Sequence, residues 1–530
     1  MNIEPLESRI APAKLVGNVL TYTDIDGDFV KVTFTGATMA EADLGFFGGF
    51  LSGDTTTPQS LLSVNLKTKT GAGFTLTATP QLVAGVHYGD SHANIGAIDA
   101  TSTDIGNIKV DGDVGKIDAG TGAAGTVGLK SFSAFSFGQA NTGTYSSNTL
   151  KNVSSFAVKA DVSNAILSFT GGVKSISIGG DLEELGSIPS EVVISGDVGS
   201  LKVAGSVIGR SGGEDNISVF NGDVGTLSIG GSVIGGDVNH SHSRLQITVL
   251  GEVKTFSLAG DLQGGRGEFS GGVSLGSVGT ARIGGSIIGA ENVSHSGYFY
   301  VTGDAKSISI GGSILGGDAT SGAVNTNGVL EVEGDLGTLN LGHDLIGGRA
   351  SGGTLSTSSM ITVKGTVGTM TVGGSVIGDS THAAYISMGG GTTITALAAI
   401  KTLNVKGSLV HTRLLAGYFD GISQDNRDSG FGSINIGGNL VASNIIAGSD
   451  TGGDGVAGTG DDTTVSTVAT IGSVKIGGAF RGLAGSSTQF FIYAPIVNKL
   501  TVAKASYTHA ELTTVIRFNS IGKAGAFSVL

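Results

Sequence analysis

One phrase recurs through most of this chain and limits the folds it can adopt. At residues 224–236 it reads Val-Gly-Thr-Leu-Ser-Ile-Gly-Gly-Ser-Val-Ile-Gly-Gly, and edited copies stand at 278–289 and 336–348. The apolar residue before the small pair returns at steps of mostly about 25 to 33 residues, a spacing typical of solenoid repeats. A unit repeated this often favours a solenoid, which grows by adding coils instead of splitting into separate globular domains.

The composition of the repeat predicts strands. The chain holds 93 Gly in 530 residues, and the copies consist mainly of Gly, Val, Ile, Ser and Thr. An interior Gly costs a helix roughly 1 kcal/mol relative to Ala. Apolar residues that alternate with Ser, Thr or Lys, as at 308–310, are typical of strands with one buried face. The copy that ends near Asp237 is predicted to contain three short strands, at 217–220, 226–229 and 232–234.

The predicted fold is therefore all-β, a parallel β-helix or β-solenoid with about three short strands per coil. We expect right-handed coils from the chirality of parallel crossovers, with Gly pairs and Gly-Asp steps at the corners. The sequence divides into a leader at 1–13, a β-rich N-terminal cap at 14–100, repeats at 101–499 and a C-terminal cap at 500–530. Distinct caps are expected because the ends of a solenoid expose unpaired strand edges.

Composition excludes several classes of function. The net charge is −13 and no cluster of Lys and Arg is present, which argues against nucleic-acid binding. No apolar run reaches the roughly 18 residues that a transmembrane helix needs. The absence of cysteine excludes disulfides and thiolate metal sites. With only 14% charged residues, the chain does not have the composition of a disordered protein.

Two aspartate-rich loops are predicted calcium sites. The first contains alternating aspartates around a glycine: Asp24, Asp26 and Asp28. Hard oxygen ligands at this spacing suit Ca²⁺, although Thr35 stands where an EF-hand loop has its last acidic ligand. The alternative interpretation is a polar hairpin turn between strands at 19–23 and 29–34.

The second loop lies in the longest gap between repeats and is rich in glycine. Its four carboxylates are Asp450, Asp454, Asp461 and Asp462. Carboxylates and backbone carbonyls of such a loop can surround one cation, so Ca²⁺ is the predicted cofactor here too. The alternative is a solvated excursion from one coil, because Gly and Asp also favour turns.

Other polar residues are interpreted as structural. The aspartates of Gly-Asp-Val and Gly-Asp-Leu steps, such as Asp197, Asp223 and Asp335, recur at one corner of successive coils and are predicted to shape that corner. In the segment 298–300, Phe299 should face opposite to the tyrosines on either side, which could form an exposed contact pair. His240 and His242 have no third ligand nearby and are assigned to a polar loop.

Three segments and the repeats carry a family resemblance. Residues 6–10, Leu-Glu-Ser-Arg-Ile, resemble the N-terminal Leu-Glu-Pro-Arg motif of glycine-rich β-repeat surface-type proteins of Planctomycetes and Verrucomicrobia, with Ser8 in place of the usual Pro. The Asp-rich turn at 20–28, the repeats and the stretch 439–448 are similar to the same proteins. The resemblance implies a surface role without naming a ligand. The leader itself lacks the apolar core of an ordinary secretory signal.

The leading functional hypothesis is a non-enzymatic structural or adhesive protein of the bacterial cell envelope, a rigid acidic rod stabilised by calcium. Its expected partners are envelope polysaccharide or copies of itself, and its expected location is extracellular or in the envelope. One alternative is a β-helix polysaccharide lyase or hydrolase whose cleft lies beside the loops 378–395 or 421–428, near Arg413 or Arg427. Another is an intracellular polymer-forming scaffold.

Overall fold

The structure is a computed structural model of the 530-residue chain. It describes residues 13–47, 58–83, 86–139, 146–184, 189–209, 216–236, 246–356, 358–391, 398–418, 426–450, 463–464, 466–482, 490–508, 512, 515–518 and 528–529. Apart from one 3₁₀ turn at Glu41–Asp43, the regular structure of these residues is β. Parallel strands stack as a β-solenoid of about 12 turns, which confirms the predicted fold class.

The chain divides into two compact units, Met1–Gly230 and Gly231–Leu530. The first unit begins with antiparallel pairing: Val19–Thr23 pairs with Asp28–Thr35, which pairs in turn with Gly73–Val83. The other strands of this antiparallel region are Lys14–Val16, Leu44–Phe46 and Val86–Tyr88. The predicted strands on either side of the first aspartate loop are therefore present.

The coils of the first unit pair in parallel. Their strands are Leu61–Asn65, Ile95–Thr101, Ile105–Val110, Asp113–Gly120, Leu129–Ala134, Ser136–Phe137, Ser146–Val158, Val162–Ser163, Ala165–Ile178, Leu182–Glu183, Glu191–Ser195, Val198–Val203, Val207–Ile208, Ile217–Phe220 and Val224–Ile229. Equivalent apolar residues stack in register, as Phe132 does on Phe156 with 4.6 Å between ring centroids. Because each inward side chain meets its counterpart in the next coil, the core is one continuous column.

The second unit repeats this arrangement more regularly. Its strands are Val233–Ile234, Ile247–Leu258, Leu262–Gln263, Gly272–Ile283, Ile287–Ile288, Tyr298–Val301, Ala305–Ile310, Ile314–Leu315, Ala323–Val324, Asn327–Val332, Leu336–Leu341, Leu345–Ile346, Thr354–Leu355, Ser358–Val363, Val367–Val372, Val376–Ile377, Ala384–Met388, Ile400–Val405, Leu409–Val410, Thr412–Ala416, Phe431–Ile436, Leu440–Val441, Asn444–Ala447, Ser449–Asp450, Thr463–Thr464, Thr470–Ile476, Phe480–Arg481, Phe490–Tyr493, Ile496–Val497, Lys499–Val502, Ala505–Thr508, Val515–Phe518 and Ser528–Val529. The pairing becomes antiparallel near the end of this unit, where Lys499–Val502 meets Ala505–Thr508.

A ladder of side-chain hydrogen bonds follows one corner of the second unit. At each step a side-chain oxygen accepts the backbone N–H of the equivalent residue in the next coil, and we call this series the corner ladder. Its members, in order, are Ser232, Asp261, Ser286, Ser313, Asp344, Ser375, Ser408 and Asn439. It ends where Ala479 donates its N–H to Asn439 Oδ1 at 2.8 Å. The ladder pairs corner N–H groups that lie outside the strands.

An apolar layer also forms outside the coils of the second unit. Its buried members are Val329, Met360, Tyr385, Leu415, Tyr418, Ile446 and Phe491, and Tyr298 and Tyr493 pack against them. Most of these residues occupy outward positions of their strands. They alternate along each strand with inward residues such as Leu330 and Ile361. This part of the solenoid wall is therefore covered on both faces. No helix long and apolar enough to cross a membrane occurs in the described part of the chain.

Candidate metal centre

The turn between Val19–Thr23 and Asp28–Thr35 brings three predicted ligands together. One carboxylate oxygen from each of Asp24, Asp26 and Asp28 lies within 4.8 Å of the other two. Asp24 and Asp28 are buried, with 7% and 0% of their surface exposed, whereas Asp26 is exposed. We call these three residues the carboxylate cluster.

Backbone hydrogen bonds hold the first half of the cluster. Asp24 Oδ1 accepts the N–H groups of Gly27 and Asp28, at 3.1 and 2.8 Å. The Asp24 N–H donates to the carbonyl of Asp28 at 3.0 Å, which closes the turn. An aspartate that bonds to the backbone a few residues ahead is a common way to fix a tight turn. Gly27 has a φ of 105°, a conformation that favours glycine.

A distant loop completes the site. The N–H of Asp90 donates to Asp26 Oδ2 and to Asp28 Oδ2, both at 3.1 Å, and the N–H of Ser91 donates to Asp28 Oδ2 at 2.9 Å. Sequence analysis missed this loop, because Asp90 is 62 residues from Asp28 and belongs to no repeat. The Gly-Asp-Ser turn at 89–91 is its local signal, but nothing in the sequence links that turn to the cluster.

Residue 89 must be glycine because its backbone lies close to the carboxylate of Asp28. Its φ is +99°, and a Cβ at this position would lie 2.0 Å from Asp28 Oδ1. A larger residue would therefore collide with a buried carboxylate and also be strained in its backbone. The loop can approach the cluster only because residue 89 has no side chain.

The electrostatics of the cluster are unfavourable without a compensating positive charge. Burial, the contact with the Asp26 carboxyl and the charges of Asp26 and Asp28 raise the pKa of Asp24 to about 8, although the Asp28 N–H acts in the opposite direction. Burial and the charges of Asp26 and Asp90 also raise the pKa of Asp28 against the N–H groups of residues 90 and 91. No described Lys, Arg or His forms an ion pair with these acids.

One atom of the cluster lacks a partner. Asp28 Oδ1 is inaccessible to solvent and accepts no hydrogen bond from any described residue. The hydroxyl of Tyr22, two residues before Asp24, is likewise buried without a described partner. A buried carboxylate oxygen with no partner is costly. The cluster supplies oxygen ligands only, which is the donor set that Ca²⁺ prefers.

The second predicted calcium loop falls mostly outside the described residues. Asp454, Asp461 and Asp462 are not described. The backbone of Asp450 is, and it pairs with Thr463 in a short antiparallel ribbon. Calcium binding by this loop therefore stays a prediction, as does the loop assignment of His240 and His242, which also lie outside the described residues.

The recurring corner aspartates bond to their neighbours in the next coil. Asp197 Oδ1 accepts the N–H of Asp223 at 3.0 Å. Asp335 Oδ1 accepts the N–H of Thr366 at 2.7 Å and its hydroxyl at 2.9 Å. These contacts agree with the predicted corner role, and they leave the carboxylates spread along the coils instead of converging.

The tyrosines at 298 and 300 flank an inward phenylalanine, as predicted. Phe299 is fully buried, and the rings of Tyr298 and Tyr300 stack on the opposite face with 5.5 Å between centroids. Their hydroxyls donate to Glu331 and Glu333 of the next coil. Burial, followed by those acidic neighbours, raises the pKa of both tyrosines. The pair is thus engaged between coils.

Arg413, considered for an enzymatic cleft, also contacts an aromatic residue. Its Nη1 donates to the hydroxyl of Tyr385 at 3.0 Å, and its guanidinium carbon lies 5.5 Å from the centroid of that ring. Residues 392–397 and 419–425 are not described, so the loops predicted beside such a cleft are seen only in part.

Among the described residues, the carboxylate cluster is the one group of three or more acidic or imidazole side chains close enough to share a metal. The chain matches no protein-family model, no curated protein and no solved structure.

Proposed function

We propose that this protein is a non-enzymatic structural or adhesive component of the bacterial cell envelope. The observation that carries the proposal is a polar face on the second unit, which we call the hydroxyl face. It presents a Ser or Thr, at least partly exposed, at one outward position of eight successive coils: Thr255, Thr280, Ser307, Thr338, Thr369, Thr402, Ser433 and Ser473.

The neighbouring outward position has the same character. It holds Ser, Thr or Asn in six coils and a basic residue in two: Ser257, Arg282, Ser309, Asn340, Thr371, Asn404, Asn435 and Lys475. Asn435 Nδ2 donates to Asn404 Oδ1 at 2.9 Å, so part of this column is bonded along the coils. Glycoside cleavage needs two carboxyl groups facing one bond, and these two columns contain no acid.

A repeated polar face without acidic residues in its two columns suits contact with an extended partner. Parallel strands lie about 4.8 Å apart, so equivalent hydroxyls recur at that spacing along the coils. A polysaccharide or another copy of the chain could meet many equal, weak contacts on such a face, and multivalent binding gains strength from their number. The corner ladder also supports a structural role, because its recurring Asp and Ser side chains form hydrogen bonds between neighbouring coils.

Protease treatment of intact native cells tests the envelope assignment. We expect proteinase K to release peptides of the second unit into the medium before lysis, identified by mass spectrometry. A cytoplasmic marker protein must remain inside in the same samples. Protection of the protein until the cells are lysed would contradict the proposal. Depolymerisation of envelope polysaccharide by the purified protein would contradict its non-enzymatic part.

A further inference from the structure

We infer that the carboxylate cluster binds one Ca²⁺ ion, which ties the turn at Asp24–Asp28 to the distant loop at 89–91. This inference does not depend on where the protein resides or on what its hydroxyl face contacts.

The geometry of the three carboxylates fits a single ion. Ca²⁺ bonds to oxygen at about 2.3–2.6 Å, so two ligands on opposite sides of the ion lie about 5 Å apart. The three oxygens of Asp24, Asp26 and Asp28 lie within 4.8 Å of one another. An ion placed among them therefore needs only small side-chain shifts. Backbone carbonyls and water can complete the six to eight ligands that Ca²⁺ takes.

The backbone hydrogen bonds occupy only one oxygen of each carboxylate. Backbone N–H groups hold Asp24 Oδ1, Asp26 Oδ2 and Asp28 Oδ2. These bonds fix the orientation of each carboxylate before any ion arrives. Such preorganisation reduces the entropy that binding costs.

The buried oxygen of Asp28 is the independent sign of a ligand. Asp28 is completely buried, yet its Oδ1 accepts no hydrogen bond from the described residues. The corner aspartates differ, because Asp197 and Asp335 are exposed, and a carboxylate oxygen without a donor from the protein can bond to water there. A cation bound in the cluster would supply the missing partner of Asp28 Oδ1.

The loop at 89–91 makes the site bridge two segments of the chain. Because the N–H groups of Asp90 and Ser91 bond to the oxygens of Asp26 and Asp28, any movement of the cluster also moves the loop. Ion binding should therefore stabilise both segments together. Hydrogen exchange of the amides at 90 and 91 reports on that coupling directly.

The test uses the full-length protein, stripped with chelator and titrated with CaCl₂ alone. We expect saturable binding by calorimetry and slower hydrogen exchange at Asp90 and Ser91 when Ca²⁺ is present. Asp26→Asn removes one charged ligand at an exposed position and keeps an oxygen that can accept the Asp90 N–H. It should weaken binding at this site at least about ten-fold, the scale of one lost charged contact.

Two control variants make the result specific. Asp454→Asn alters the other aspartate loop and should leave the calcium-dependent exchange at residues 90 and 91 unchanged. Tyr22→Phe should leave the calcium affinity unchanged but reduce the luminescence of bound Tb³⁺ excited through tyrosine, since the chain has no Trp and Tyr22 precedes Asp24 closely. The inference is overturned if Ca²⁺ leaves exchange at 90 and 91 unaltered, or if Asp26→Asn protein binds and responds like the wild type.

Discussion

Aspartates in the N-terminal turn and aspartates at the coil corners meet different surroundings. In the turn, three carboxylates converge within 4.8 Å of one another. In the corner ladder of the second unit, Asp261 and Asp344 are separated along the series by Ser286 and Ser313, and each accepts one backbone N–H from the next coil. The first arrangement concentrates negative charge, and the second distributes it.

The difference comes from how far apart the chain places its acids. In the turn, Asp24, Asp26 and Asp28 each place one oxygen within 4.8 Å of the other two, so their charges add. Residues one coil apart are separated by a strand spacing, and a backbone N–H lies within reach of each side chain. Asp24 and Asp28 also accept backbone N–H groups, so the distance between carboxylates, and not the supply of donors, separates the candidate ligands from the structural acceptors.

The largest expected effect comes from replacing Gly89 with Ala. The new Cβ would meet Asp28 Oδ1 at 2.0 Å in a backbone with φ of +99°. Backbone strain of about 1–3 kcal/mol and overpacking of about 1–3 kcal/mol should together lower the free energy of unfolding by roughly 2–6 kcal/mol. Denaturant unfolding followed by tyrosine fluorescence measures this loss.

A matched control separates the two causes. Gly125 also has a positive φ, of +76°, but a Cβ there would have no atom within 4 Å. Gly125→Ala should therefore show the strain alone, about 1–2 kcal/mol. Equal losses in the two variants would show that the approach of residue 89 to the cluster contributes nothing.

A smaller effect is expected from Asp261→Ala in the corner ladder. The substitution removes the acceptor of the Ser286 N–H, which lies 2.7 Å from Asp261 Oδ1. An unsatisfied, partly buried N–H should lower the free energy of unfolding by about 1–2 kcal/mol. Faster hydrogen exchange of the Ser286 amide should accompany the loss.

Asp261→Ser provides the matched control. Serine already fills the equivalent position at Ser232 and Ser313, where its Oγ accepts the N–H of the next coil. The serine variant should therefore keep most of the stability and the exchange protection. If serine and alanine destabilise the protein equally, the ladder bond is not the reason for the aspartate.

The smallest effect should appear at Glu331, an acid outside both arrangements. Burial and the charge of Glu333 raise its pKa above 4.5, whereas the hydroxyl of Tyr298 and the charge of His295 oppose the rise. A raised pKa means that the folded state favours the protonated form of Glu331. The stabilisation that protonated Glu331 gives is fully present below about pH 4.5 and is lost as pH rises through its pKa in the folded state. Wild type should therefore lose stability relative to Glu331→Gln between pH 4 and pH 7. A difference independent of pH would contradict this.

The repeat was sufficient to predict the solenoid, because its spacing and alternation have few other physical explanations. The copy ending near Asp237 has strands at Ile217–Phe220, Val224–Ile229 and Val233–Ile234, close to the predicted bounds. The inward position of Phe299 followed from the two-residue period of a strand. The convergence of Asp24, Asp26 and Asp28 followed from their alternation within one turn.

Three features could not be predicted, for physical reasons. The contact of residues 89–91 with Asp28 joins segments that share no repeat, so no periodicity relates them. The apolar layer around Tyr385 and Tyr418 occupies outward positions, and alternation alone does not indicate what covers an outward side chain. The sequence shows the recurring Asp and Ser residues that act as acceptors in the corner ladder. Their donors are backbone N–H groups, which sequence patterns do not reveal.

The corner ladder also bears on how such a chain can change length over generations. Each acceptor belongs to its own coil, and each donor is a backbone N–H that every residue except proline provides. The ladder already accommodates coils of 25, 31 and 40 residues between successive members. A gene that gains or loses one whole coil by unequal recombination would thus inherit an unbroken series of corner bonds, without any compensating substitution.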